Sequence, residues 1–170
     1  MQLDLLDEKR SEKGKVDVLC QSLGNFAFQY AVGFIGTAGA RQFNEVVLSA
    51  PVIPRRAFES EYELETLPKI CERISLYFNP GDYAKFVTLI LWEFNRMSLD
   101  GPKTPLKLDS KVTVINCGNA IQGNPDEEHR YLYRNSKVIA DVNSVLDGVP
   151  SSDKSLNRKY VASKNQYVLE

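Results

Sequence analysis

Four short apolar runs, each followed by a loop or helix-like segment, constrain this chain more than any other feature. They are Lys15–Cys20, Glu45–Ala50, Arg73–Phe78 and Lys111–Asn116. Runs so nearly unbroken suit strands buried on both faces. Helical spacing follows in three places. Phe26, Ala27, Tyr30, Ala31 and Phe34 mark a helix from Leu23 to about Ala38. Phe86, Leu89, Ile90, Phe94 and Met97 mark one from about Asp82 to Met97. Val138, Ile139, Val142, Val145 and Leu146 mark a third, stopped by Gly148. The charged stretch Glu59–Glu65 leads into a further short helix around Leu64 to Cys71. Pro51, Pro54 and Asn79-Pro80-Gly81 punctuate the strand ends. The alternation predicts an α/β fold with a mostly parallel sheet of about four strands flanked by helices. It predicts a domain over residues 1–148 and a loose polar tail over 149–170.

Composition narrows the function classes. The chain has 170 residues, 43% hydrophobic and 25% charged, which supports one domain with a real core rather than disorder. A net charge of -1 and no basic stripe argue against a nucleic-acid partner. No run of eighteen apolar residues occurs, so no membrane span is expected. Met1–Lys15 carries eight charged residues and no apolar core, unlike a signal peptide. Cys20, Cys71 and Cys117 are odd in number and widely spaced. They form no complete disulfide framework and no CxxC knuckle, which suits a reducing cytoplasm. His129 is the only histidine, so a zinc site built on several histidines is impossible, and no metal or organic cofactor is expected.

Functional groups of parallel sheets gather at the carboxyl ends of the strands. After the first strand stands Gln21-Ser22-Leu23-Gly24-Asn25, and then a helix. A serine on a sharp strand-to-helix turn is the context of a nucleophile elbow, where Gly24 would supply a small neighbour. The Leu23 N–H, at the helix start, is a candidate oxyanion donor. After the third strand comes Asp82, and in the loop before the last helix comes His129. The order Ser, Asp, His matches that of α/β-hydrolase triads. A serine hydroxyl needs an imidazole to take its proton, and the imidazole needs a carboxylate to orient it. Plainer roles compete: a helix N-cap for Ser22 and for Asp82, and a solvated acidic loop for His129.

The blocks Val18–Asn25, Val47–Pro51, Ile74–Asp82, Glu128–Tyr131 and Lys137–Asp141 resemble, in order and spacing, a bacterial family of α/β-hydrolases of unknown function whose elbow reads Ala-His-Ser-Met-Gly-Asn. The resemblance covers roughly residues 15 to 148 and marks them as a partial, carboxyl-terminal α/β-hydrolase domain. It implies Ser22 as nucleophile, Asp82 as acid and His129 as base. Two departures stand out. Gln21 replaces the histidine usual before the nucleophile, and Cys20 stands at the first small position of G-x-S-x-G. Only about twenty residues precede Ser22, whereas the family has several strands there, one of whose loops gives the second oxyanion N–H. The expectation is therefore a fragment of a longer protein or a shortened relative lacking half the hole.

The remaining residues read more plainly. Cys20 and Cys117 suit buried small hydrophobes, Cys71 a structural role, and Trp92 with Phe94 a core. Arg55, Arg56 and the tail lysines suit solvated charge. Gly33, Gly36 and Gly39 match no dinucleotide or phosphate loop, because they lie in and after a helix.

The expected function is acyl hydrolysis of a small ester, thioester or amide substrate. The alternative is a non-catalytic relative that binds a partner. An apolar edge at the first strand would favour a homo-oligomer or pairing with a missing amino-terminal segment.

Overall fold

A computed structural model of the protein describes residues 16–35, 42–82, 97–121 and 127–170. Its order begins with strand β1 (Val18–Gln21), helix α1 (Leu23–Ile35) and strand β2 (Phe43–Ser49). A turn of 3-10 helix (Glu63–Thr66) runs into α2 (Leu67–Ile70) and then β3 (Cys71–Phe78). Next come α3 (Met97–Asp100), β4 (Val112–Asn116), α4 (Gly118–Ile121), α5 (Tyr131–Arg134) and α6 (Ser136–Leu146). The chain closes with β5 (Arg158–Val161) and β6 (Gln166–Leu169).

These strands form one six-stranded sheet in the order β1-β2-β3-β4-β6-β5. All neighbouring pairs are parallel except the β5–β6 hairpin. The register sets Cys20, Leu48, Leu76 and Val114 side by side across four strands. That row faces one core, with Val46, Ile74, Val32 of α1 and Leu64. The alternate residues Val47, Tyr77 and Ile115 face a second core with Val138, Val142 and Val145 of α6. Burial on both faces is why the strands are apolar at consecutive positions. The architecture is a helix–sheet–helix sandwich. No helix among the described residues is long and apolar enough to cross a membrane.

Two expectations change. The sheet has six strands rather than about four. The stretch read as a loose tail supplies the other two. The second difference has an electrostatic cause: Arg158 of β5 forms two hydrogen bonds to Asp141 of α6, at 2.7 and 2.6 Å, and a third to the Tyr77 hydroxyl at 3.1 Å. Tyr77 in turn donates to Asp141 at 2.8 Å. Burial works most strongly against the Arg158 charge, but the hydrogen bonds to Asp141 and Tyr77 and their charges together outweigh it and hold the guanidinium above its ordinary pKa.

The helix marked by the aromatic spacing is α1, and its face toward the sheet is largely polar. Asn25, Gln29 and Val32 are the residues it buries. Phe26, Tyr30 and Phe34 are 39%, 48% and 90% exposed. Residues 83–96 of the proposed helix, with Trp92, and the glycines Gly36 and Gly39 lie outside the described residues, as do residues 1–15.

Candidate active site

β1 ends at Gln21, and the chain turns abruptly into α1 through Ser22. The turn puts Ser22 at φ 54°, in the left-handed region that a residue with a Cβ occupies at a cost of about 1–2 kcal/mol. Backbone and side-chain bonds hold it there. The Ser22 N–H donates to the Ser49 carbonyl at 3.0 Å. The buried Asn25 amide donates to the carbonyls of Ser22 and Ser49, at 2.9 and 3.0 Å. The Ser22 carbonyl therefore points into the turn. As the first residue of α1, Leu23 has an N–H without an intrahelical acceptor.

Asp82 sits just beyond β3, in a turn built by Asn79. The Asn79 side-chain oxygen accepts the Gly81 N–H at 3.0 Å, and the Asp82 N–H donates to the Asn79 carbonyl at 3.1 Å. Asp82 is 2% exposed.

His129 comes from the turn before α5 and reaches both. Its Nδ1 lies 2.8 Å from Asp82 Oδ2, and its Nε2 lies 2.9 Å from Ser22 Oγ. An ionised carboxylate only accepts hydrogen bonds, so the imidazole proton belongs on Nδ1. Nε2 then offers its lone pair to the Ser22 hydroxyl proton. The structure thus brings together the three side chains singled out by their positions after strands. The Ser22 hydroxyl and one Asp82 carboxylate oxygen both face the His129 ring.

Further residues, not singled out from the sequence, hold the site. Gln21 Nε2 donates to the His129 carbonyl at 2.7 Å, and Asn79 Nδ2 to the Glu128 carbonyl at 2.8 Å. The Tyr131 hydroxyl accepts the Ala50 N–H at 2.7 Å and donates to the Tyr77 carbonyl at 2.9 Å, which ties the His129 segment to the ends of β2 and β3. Ala50 also takes a positive φ, 43°, directly after β2. The S-L-G-N run was one signal for Asn25. The other contacts join residues 49 to 108 positions apart and leave no local pattern.

Gly24 plays a smaller part than the elbow reading gives it. A Cβ added there meets nothing within 4 Å. Cys20, Cys71 and Cys117 are free and buried. Burial pushes the Cys20 thiol up to about 11, so the thiol nearest Ser22 stays protonated at neutral pH.

A cleft of about 390 Å³, of mixed polar and apolar lining, lies at the carboxyl ends of β3 and β4. Asn79, Asn116, Asn119 and Glu128 supply its polar groups, and Pro80 and Ile121 its apolar ones. Comparison with family models, with curated proteins and with solved structures found no match to this chain.

Proposed function

We propose that the protein is a serine hydrolase of the α/β type, acting on an ester, thioester or amide through Ser22, His129 and Asp82. The observation that carries this reading is the unbroken chain of hydrogen bonds from Asp82 Oδ2 through both ring nitrogens of His129 to Ser22 Oγ, ending on a strained turn. Strain of that kind gathers at functional sites because the surrounding structure has to over-determine it.

In this mechanism Ser22 Oγ attacks the substrate carbonyl as its proton passes to His129 Nε2. The Leu23 N–H holds part of the charge that develops on the carbonyl oxygen. His129 returns the proton to the leaving group, which departs as an alcohol, thiol or amine. Water, deprotonated by the same imidazole, then releases the acid and restores Ser22. Asp82 keeps the ring in its productive tautomer and stabilises the imidazolium. These groups suffice for acyl transfer without a cofactor. The buried, unpaired cysteines favour a reducing compartment, the cytoplasm.

The test is hydrolysis of p-nitrophenyl acetate and longer acyl esters. Ser22→Ala is expected to fall to the uncatalysed background, and Asp82→Asn to lose on the order of 10⁴. Full hydrolysis by Ser22→Ala overturns the reading.

One observation favours a second reading, a partner-binding or oligomerising module. Leu19 of β1 and Leu23, Phe26, Tyr30 and Phe34 of α1 are all exposed, next to a strand that ends the sheet among the described residues. Sedimentation of the wild type against Phe34→Ser tests it: a monomer in both cases counts against the module.

A further inference from the structure

We infer that Gln21 and Asn79 are positioning residues, whose carboxamides hold two consecutive peptide carbonyls and so fix the His129 ring between Ser22 and Asp82. The inference gives the proposed hydrolase site its positioning residues and rests on that reading for its effect on rate, though not for its effect on the ring.

Residues 127–130 form turns, outside any strand or helix. A sheet strand has its carbonyls registered by its neighbours, but a turn of this kind does not. The carbonyls of Glu128 and His129 are held instead by two side chains, at 2.8 and 2.7 Å.

Both donors come from the strand ends that carry the other two members of the site. Gln21 is the last residue of β1 and immediately precedes Ser22. Asn79 directly follows β3 and is 2% exposed. Asn79 is fully engaged. Its oxygen shapes the turn that presents Asp82, while its amide nitrogen holds the carbonyl just before His129. One side chain therefore sets the Asp82 turn and the His129 turn together. From the Ser22 side, Gln21 holds the His129 carbonyl through its amide nitrogen alone, its oxygen being buried without a hydrogen bond.

The geometry matters because acyl transfer is sensitive to small displacements. A misplacement of about 1 Å can cost on the order of 10² in rate. The ring has two contacts of its own, and both are to groups that take part in the proposed chemistry. The backbone contacts involve no proton that the reaction moves, and they remain in place whatever the protonation state of the ring.

A further property of the chain makes the test clean: His129 is its only histidine. Long-range proton–nitrogen correlation spectra therefore show one imidazole, and the nitrogen shifts report its tautomer. The spectra are recorded on the full chain at mildly alkaline pH, where a free imidazole is neutral. Gln21→Met removes one donor while keeping length. Asn79→Asp keeps the acceptor that Gly81 needs but replaces the donor aimed at Glu128.

The wild type is expected to show a single tautomer with the proton on Nδ1. Each variant is expected to show a mixture of tautomers and, with a fluorophosphonate probe, labelling of Ser22 slowed on the order of tenfold. Thermal unfolding and circular dichroism identify a variant that fails to fold, and the other then decides. Wild-type spectra in folded variants would overturn the inference. If the wild type is not labelled but its single tautomer is lost in the variants, the hydrolase reading fails and the positioning role stands.

Discussion

At the scale of single residues, Ser22 shows how local strain and hydrogen bonding combine. Its φ of 54° costs energy, and Asn25 offsets part of that cost with two amide bonds from within the first turn of α1. Gly24 adds no comparable constraint. Because a Cβ there meets open space, Gly24→Ala is expected to raise stability by about 0.5–1 kcal/mol, through lower entropy of the unfolded chain. Chemical denaturation measures this, and a loss of stability would show that the elbow does need glycine. Ser22, Asp82 and His129 were legible because each follows a readable strand or precedes a readable helix. Gln21, Asn79 and Tyr131 were not. A glutamine, an asparagine and a tyrosine near strand ends have many ordinary uses, and their partners lie far along the chain.

Elements differ in how much the sequence betrays them. Strands β2 to β4 are buried on both faces, which leaves continuous apolar runs, whereas β1 at the edge buries Cys20 and leaves Leu19 half exposed. The β5–β6 hairpin lies at the sheet's far edge and is only partly buried, so its residues read as polar. Tyr160-Val161 and Tyr167-Val168-Leu169 were its local signal, flanking Asn165 at φ 43° in the hairpin turn.

What ties the hairpin to the domain is a charge contact. Arg158 and Asp141 have side chains 1% and 3% exposed. Removing one member of such a pair strands the other's charge in the interior. Arg158→Met is therefore expected to destabilise the fold by about 3–5 kcal/mol. Urea unfolding measures it, and a change below about 1 kcal/mol, the range of exposed pairs, would mean the pair behaves as a surface contact. The orientation of α1 has an equally physical reason. Periodicity locates its apolar stripe, but the face turned to the sheet is the one whose amides fasten the Ser22 turn.

Across the whole molecule, the sheet collects the site. β1, β3 and the segment before α5 end on one side, so residues 22, 82 and 129 meet although up to 107 positions separate them. The two cores on either face keep those strand ends in register. The exposed stripe of α1 leaves the β1 side of the sandwich with apolar surface beside the Ser22 turn. The central claim is that this assembly makes Ser22 a nucleophile. A fluorophosphonate probe reacts with a serine hydroxyl only when a neighbouring base activates it. Peptide mapping of the labelled, folded full-length chain is the most direct measurement. A single adduct on Ser22, absent in Ser22→Ala and strongly reduced in His129→Ala, is the predicted result. A folded protein that takes no label, or takes it on another residue, would contradict the account.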